Sequence, residues 1–483
     1  MSVSMQPASA RDLSHRETLL VVLGVLLPVF MGSLDSTILA SALPTIGQDL
    51  GDLHNLPWLI TAYLIASTAV TPLYGKISDI HGRRVTLLIA IGIYMAGSLV
   101  CALAPNMFVL ILGRVLHGLG GGGLTATGMV VLGDVAAPRD RGRYYGYFSV
   151  TYTTAGASGP ALGGFIAQYL HWSVIFWLNI PLGLIAITMT ATLLRRLPRH
   201  ERPHKLDFIG AALIMVAAVC FMLALNLGGV RYPWTAPIVL GLFAASALIG
   251  TAFVVRLLTA PEPLIPISIL ADPIARWIIA ANAFGWGAII GINIFLPMYL
   301  QSILGMSATT AGLSLMVLMF TLNISAGITG QIMSNVTRYK LLPTIGLALA
   351  AAAVLVLAWH AHRMTLWELE GLLALIGIGF GGTPPLAAAV LQNTVAMHHL
   401  GTAVGTQQFT RNLYSTMLVA LLGALVVVGT ASPDSAAATP KVLYNPDGFV
   451  HAFYLATASF VAALVCLLWL EEKPLQTSGT PST

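Results

Sequence analysis

Charge is what this sequence has least of. Only 8% of its 483 residues are Asp, Glu, Lys or Arg, against about a quarter in a soluble domain, so a water-facing globular fold is excluded. Cysteine is scarce as well. Cys101, Cys220 and Cys466 all lie in apolar stretches, with neither a disulfide framework nor metal-ligand spacing, so no metal and no cofactor is expected. A phosphate-binding glycine loop is missing, which removes ATP as an energy source. H-E-x-x-H, G-x-S-x-G and paired aspartates within apolar runs are missing too, which argues against an intramembrane enzyme.

What the chain has is apolar length. Hydrophobic residues make up 57% of it, in runs long enough to cross a hydrocarbon core about 30 Å thick. Fourteen such runs are readable, so the fold class is an all-α polytopic membrane protein. The first run is too long for a cleaved signal and is read as a retained span. Of the 23 Lys and Arg residues, eighteen fall in alternate segments taken as inner, three in outer segments and two, Arg114 and Arg411, inside spans. That bias is the positive-inside pattern. It predicts both termini in the cytoplasm, and it reads the net charge of +5 as a topology signal met by lipid headgroups, not as a nucleic-acid footprint.

A weak repeat joins "GKISDIHGRR" (75–84) to "GQIMSNVTRY" (330–339), with Ser334 where the first copy has Asp79. An offset of this length suits eight spans, so the layout reads as six, two and six. The segments are a tail (1–16), a six-helix bundle (17–194), a linker with two extra helices (195–273), a second six-helix bundle (274–470) and a C-terminal tail (471–483). Internal repeats of this kind are the usual construction of secondary transporters.

In "GKISDIHGRR" the glycines permit a tight turn, and Asp79 can pair with Arg83, Arg84 or a neighbouring helix N-terminus. Here the chain resembles the major facilitator superfamily, whose signature between spans 2 and 3 is matched by Gly75, Asp79, Gly82, Arg83 and Arg84. The resemblance implies that this loop bridges the two halves and gates transport. "LGRVLHGLGGGGL" (112–124) is similar to the family's R-x-x-Q-G motif, with Arg114 and Gly118 in place and His117 where Gln is usual. "GASGPALGG" (156–164) resembles the antiporter motif through Gly159, Pro160, Gly163 and Gly164. "LDSTILASALPTI" (34–46) resembles the first span of the fourteen-span drug:proton antiporters. Together these imply a proton-coupled multidrug exporter in a bacterial inner membrane, with protons, an amphipathic small molecule and membrane lipid as partners, and with or without a periplasmic adaptor.

Among 18 acids, Asp35 alone lies well inside a span. It sits about 24 Å from the inner end of span 1, and Arg114 about 10 Å from the outer end of span 4, so the two share a level if those spans adjoin. An embedded acid marks a functional site, and a carboxyl balanced between low dielectric and a nearby arginine can load and release a proton. Asp35 and Arg114 are therefore the proton-coupling candidates, with His117 as a packed core residue or a second titrating group. In the family that is resembled, both ion-pair residues line the central cavity. The C-terminal half offers Asn282, Asn293, Gln301, Asn323, Gln392, Gln407 and Arg411 in place of an embedded acid, with Asn293, Asn323, Gln407 and Arg411 as candidates for a substrate cavity. That set suits monovalent or neutral lipophilic substrates. The alternative is a transporter of one organic anion or metabolite, using Arg114 and Arg411.

Overall fold

The structure is a computed structural model that describes residues 15–52, 55–136, 141–196, 206–229, 231–333, 336, 338–360, 364–430, 442–444 and 446–474. The N-terminal tail, most of the linker basic residues, the centre of the 431–448 loop and Ser334 of the weaker repeat lie outside these residues.

The fold is helical. The first half comprises α1 (His15–Asp49), α2 (Pro57–His81), α3 (Arg83–Ala102), α4 (Met107–Val135), α5 (Arg141–Tyr169), α6 (Val174–Trp177) and α7 (Asn179–Leu193). Then follow α8 (Phe208–Leu227), α9 (Pro237–Thr259) and the short α10 (Ile267–Ala271). The second half comprises α11 (Pro273–Ser302), α12 (Ala308–Met333), α13 (Leu341–His360), α14 (Leu366–Gly381), α15 (Thr383–Thr394), α16 (Leu400–Val426) and α17 (Pro446–Trp469). Among the described residues, thirteen helices are long and apolar enough to cross a membrane. Helix α5 is not one of them. At 29 residues it is as long as α4, but Gly, Thr, Ser and Tyr dominate its sequence and dilute its hydropathy.

Two expected spans are interrupted. The sixth breaks between α6 and α7, the twelfth between α14 and α15 at Gly382. The second break has a chemical cause: Pro384 and Pro385 have no N–H to donate to a preceding carbonyl, and they occupy the first turn of α15, where none is needed. The thirteenth span ends earlier than its apolar run. Residues Val427–Thr430 leave the helix as strand β1 and pair antiparallel with β2 (Val442–Tyr444).

In the first half α4 is wedged between α2 and α3, and α5 lies along α1. The glycine run of α4 permits the wedge. A methyl on Gly120 would overlap the Tyr94 backbone of α3, and one on Gly122 would overlap the Ser67 carbonyl of α2. The second half packs α11 against α16 and α17, and α12 and α13 against α14, around a continuous apolar core. The α8–α9 pair attaches through α8 to α2 and α16. The halves meet through α2–α16, α5–α12, α4–α16 and α5–α15.

Candidate functional site

The embedded acid and the embedded arginine meet. Arg114 Nη1 donates to Asp35 Oδ2 at 2.8 Å and to Oδ1 at 2.9 Å. Its Nε donates to the Leu59 carbonyl at 2.8 Å, and Nη1 lies 2.9 Å from His117 Nδ1. A guanidinium only donates, so His117 Nδ1 accepts and the imidazole proton sits on Nε2, which is buried without a partner. Aromatic rings complete the enclosure. Tyr63 lies under the guanidinium at 4.5 Å, and Tyr94 stacks on His117 with centroids 3.9 Å apart. The Tyr94 hydroxyl donates to the Met31 carbonyl, which holds α3 against α1.

This cluster is dry. Asp35 and Arg114 are each 1% exposed and His117 is 0% exposed. The expectation that the pair lines a central cavity is therefore corrected: in this structure it sits inside the first bundle, among α1, α2, α3 and α4. Beside Asp35 on α1, Ser33 and Thr37 are half-buried and Ser36 is exposed. Depth along the spans indicated the pair. Tyr63, Tyr94 and the Leu59 carbonyl went unseen, because nothing in an apolar sequence tells which face of α2 or α3 turns toward α4.

The turn between α2 and α3 forms a second cluster. Gly82 adopts φ +85°, a conformation that glycine alone takes without strain, and its N–H donates to the Ser78 carbonyl. The reversal puts Arg83 between two acids. Its Nη1 bonds Asp79 at 2.6 Å and its Nε bonds Asp134 at 2.7 Å. Asp134, at the end of α4, is a partner that its position at a span end did not distinguish. Asp79 also reaches across to the second half. It accepts from the N–H groups of Gly401 at 2.8 Å and Thr402 at 2.7 Å, and from the Thr402 hydroxyl at 2.7 Å. Those amides open α16, where unpaired donors and the helix dipole favour an anion. The approach needs glycine on both sides, since a methyl on Gly75 would overlap the Gly401 carbonyl. Among the described residues Arg84 makes no comparable bond, and its Nε is buried without a partner.

The glycine motif of α5 is used on one face only. Methyl groups on Gly159 and Gly163 would overlap Thr37 and Ile38 of α1, and the Thr37 hydroxyl donates to the Ala155 carbonyl at 3.1 Å. Gly164 meets open space, and Pro160 is exposed within the helix.

The polar residues of the second half do not converge as one group. Asn293 and Asn323 each donate to a carbonyl four residues back in their own helix. Gln392 belongs to the junction between the halves, donating to the Met129 carbonyl at 3.3 Å. Gln407 and Arg411 lie one turn apart on α16. Gln407 is 7% exposed with its amide nitrogen unpartnered, and Arg411 is half-buried above the Trp286 ring at 5.4 Å.

The model of the Major Facilitator Superfamily matches residues 25–418. The chain belongs to that superfamily. It is 32% identical to the multidrug transporter protein MdtP of Bacillus subtilis over 408 residues, covering 84% of this chain and 75% of MdtP. It is 31% identical to multidrug resistance protein 3 of the same organism, covering 84% and 79%. Solved structures share the fold at lower identity. The human organic anion transporter MFSD10 superposes with TM-score 0.67 at 15% identity, over 96% of this chain and 100% of that one. The proton:xylose symporter XylE gives 0.64 at 13%, over 96% and 98%. The protein is thus a multi-pass major facilitator transporter of small molecules, and not an enzyme.

Proposed function

We propose that the protein is a proton-coupled exporter of drugs or other amphipathic small molecules, a fourteen-span member of its superfamily with α5 as the span that hydropathy passes over. Both termini are on the cytoplasmic side of a bacterial inner membrane in this reading. The observation that carries it is the buried Asp35–Arg114 pair, the embedded acid of the chain held by an embedded arginine. The names of the Bacillus subtilis relatives support the substrate class.

The coupling follows from the bonds. While Asp35 is ionised, the guanidinium locks α1 to α4 and to the Leu59 carbonyl of α2. Protonation of Asp35 removes the charge that Arg114 answers. The guanidinium then keeps the Leu59 carbonyl, the His117 lone pair and the Tyr63 face, so it is not left bare. His117 serves as the acceptor that steadies Arg114 in both states. With the lock loosened, α1 is free to shift against α5 along Gly159 and Gly163, and the two halves part where Asp79 caps α16. Proton uptake on one side and release on the other then alternate with access to the substrate.

The direct test is transport in inside-out vesicles or proteoliposomes with an acidic lumen, using cationic, neutral and anionic amphiphiles. Uptake against a gradient that collapses on adding a protonophore is the expected result. Uptake indifferent to the pH gradient would reject proton coupling.

A further inference from the structure

Arg411 is the membrane-embedded cation for which the described residues provide no acid. Its Nε and Nη2 share the single amide oxygen of the adjacent Asn412, at 3.2 and 3.1 Å, and Nη1 has no hydrogen-bond partner among the described residues. It lies about 16 Å into α16 from Leu400, and Trp286 about 20 Å into α11 from Pro273, so both are near mid-membrane. An unpaired guanidinium at that depth is costly and marks a function. The site is built on three further observations. Trp286 covers one face of the guanidinium and is braced edge-on by Phe380, ring centroids 5.4 Å apart. The Gln407 amide nitrogen, one helical turn away on the same side of α16, is buried and bonds nothing. Tyr145 and Tyr152 of α5 pack, partly buried, against the first-half core cluster that also takes in Leu400 and Val404 of α16.

We infer that Arg411, Gln407 and Trp286 form a substrate site for a flat aromatic monocarboxylate. The free edge of the guanidinium and the Gln407 amide nitrogen, one turn apart on α16, supply donors for the two oxygens of a carboxylate, and the aromatic side chains match an apolar body. One cation without a second nearby favours a single negative charge, since further charge would be desolvated without a partner. A cationic head would meet uncompensated like charge. Because α11 and α16 belong to one half while α16 also packs on α2 and α4 of the other, the site is remade each time the halves rock. This inference rests on the export reading and narrows its substrate class.

The test is equilibrium binding to the full chain in detergent or nanodiscs, without a pH gradient, so failure of proton coupling would not affect the outcome. The probes are 1-naphthaleneacetate, the neutral 1-naphthaleneacetamide and the cationic 1-naphthylmethylamine. The acid is expected to bind at least tenfold more tightly than either of the others, and Arg411→Gln to remove that preference. Equal binding of acid and amide by the unaltered protein, tightest binding of the amine, or no binding of any probe at millimolar concentration would each overturn the inference. Those three outcomes need no variant, so the test holds even if Arg411→Gln fails to fold.

Discussion

The two halves each carry one arginine inside the membrane and treat it in opposite ways. Arg114 is 1% exposed and fully engaged by a carboxylate, a backbone carbonyl, an imidazole and an aromatic face. Arg411 is half-buried, with a neighbouring amide oxygen and one aromatic face. The contrast teaches where a membrane protein stores charge and where it offers it. In the first half the charge is cancelled and sealed, which suits a switch thrown by one proton. In the second it is left uncancelled beside an open edge, which suits a ligand. The alternative with both arginines receiving an anionic substrate is not supported by this arrangement, because Arg114 already holds Asp35.

The comparison can be broken by substitution. The largest effect is expected at Arg114→Ala, which leaves Asp35 buried and unpaired at a cost of about 3–5 kcal/mol. A strongly lowered melting temperature in detergent, together with loss of transport, would show it. The double variant Asp35→Asn with Arg114→Gln should recover most of the stability and none of the proton-driven transport. Next comes Asp79→Asn, which removes the anion from the start of α16 and from Arg83. Transport in vesicles should fall at least tenfold with the protein still folded, and a rate in the unaltered range would detach Asp79 from closure of the halves. Gly159→Ala should cost about 1–3 kcal/mol by overpacking the α1–α5 contact, readable as a lower melting temperature, whereas Gly164→Ala should be silent. Little stability effect is expected at Arg411→Gln either. Its melting temperature should match the unaltered protein or exceed it, since no buried partner is abandoned. Destabilisation as large as that of Arg114→Ala would erase the distinction between the two arginines.

Much of this was legible in the residues. Charge placement and apolar runs gave the spans, and counting residues from span ends placed Asp35 and Arg114 at one level. The turn at Gly82 and the reach of Asp79 toward a helix start were readable from a glycine, an acid and two arginines. The fifth run, counted with the other apolar runs, forms the long helix α5, which is not among the thirteen helices apolar enough to cross a membrane. The partners of these residues were not readable. A membrane helix is apolar on all sides, so its sequence lacks the polar stripe that fixes rotation in a soluble helix. Tyr63, Tyr94 and Trp286 therefore looked like any other aromatic residues. Asp134 resembled an ordinary span-end acid until the turn brought Arg83 to it, and nothing in the sequence distinguished Gln392, which bridges the halves, from the other polar residues of its half.

The central claim is that Asp35 is the carboxylate whose protonation drives transport. It is tested most directly by comparing the unaltered protein with Asp35→Asn in the same proteoliposomes, measuring uphill transport driven by an imposed pH gradient and downhill exchange of labelled for unlabelled substrate. The account predicts that Asp35→Asn loses the uphill, gradient-driven component and keeps exchange. Gradient-driven accumulation by the Asn variant at the unaltered rate would contradict it.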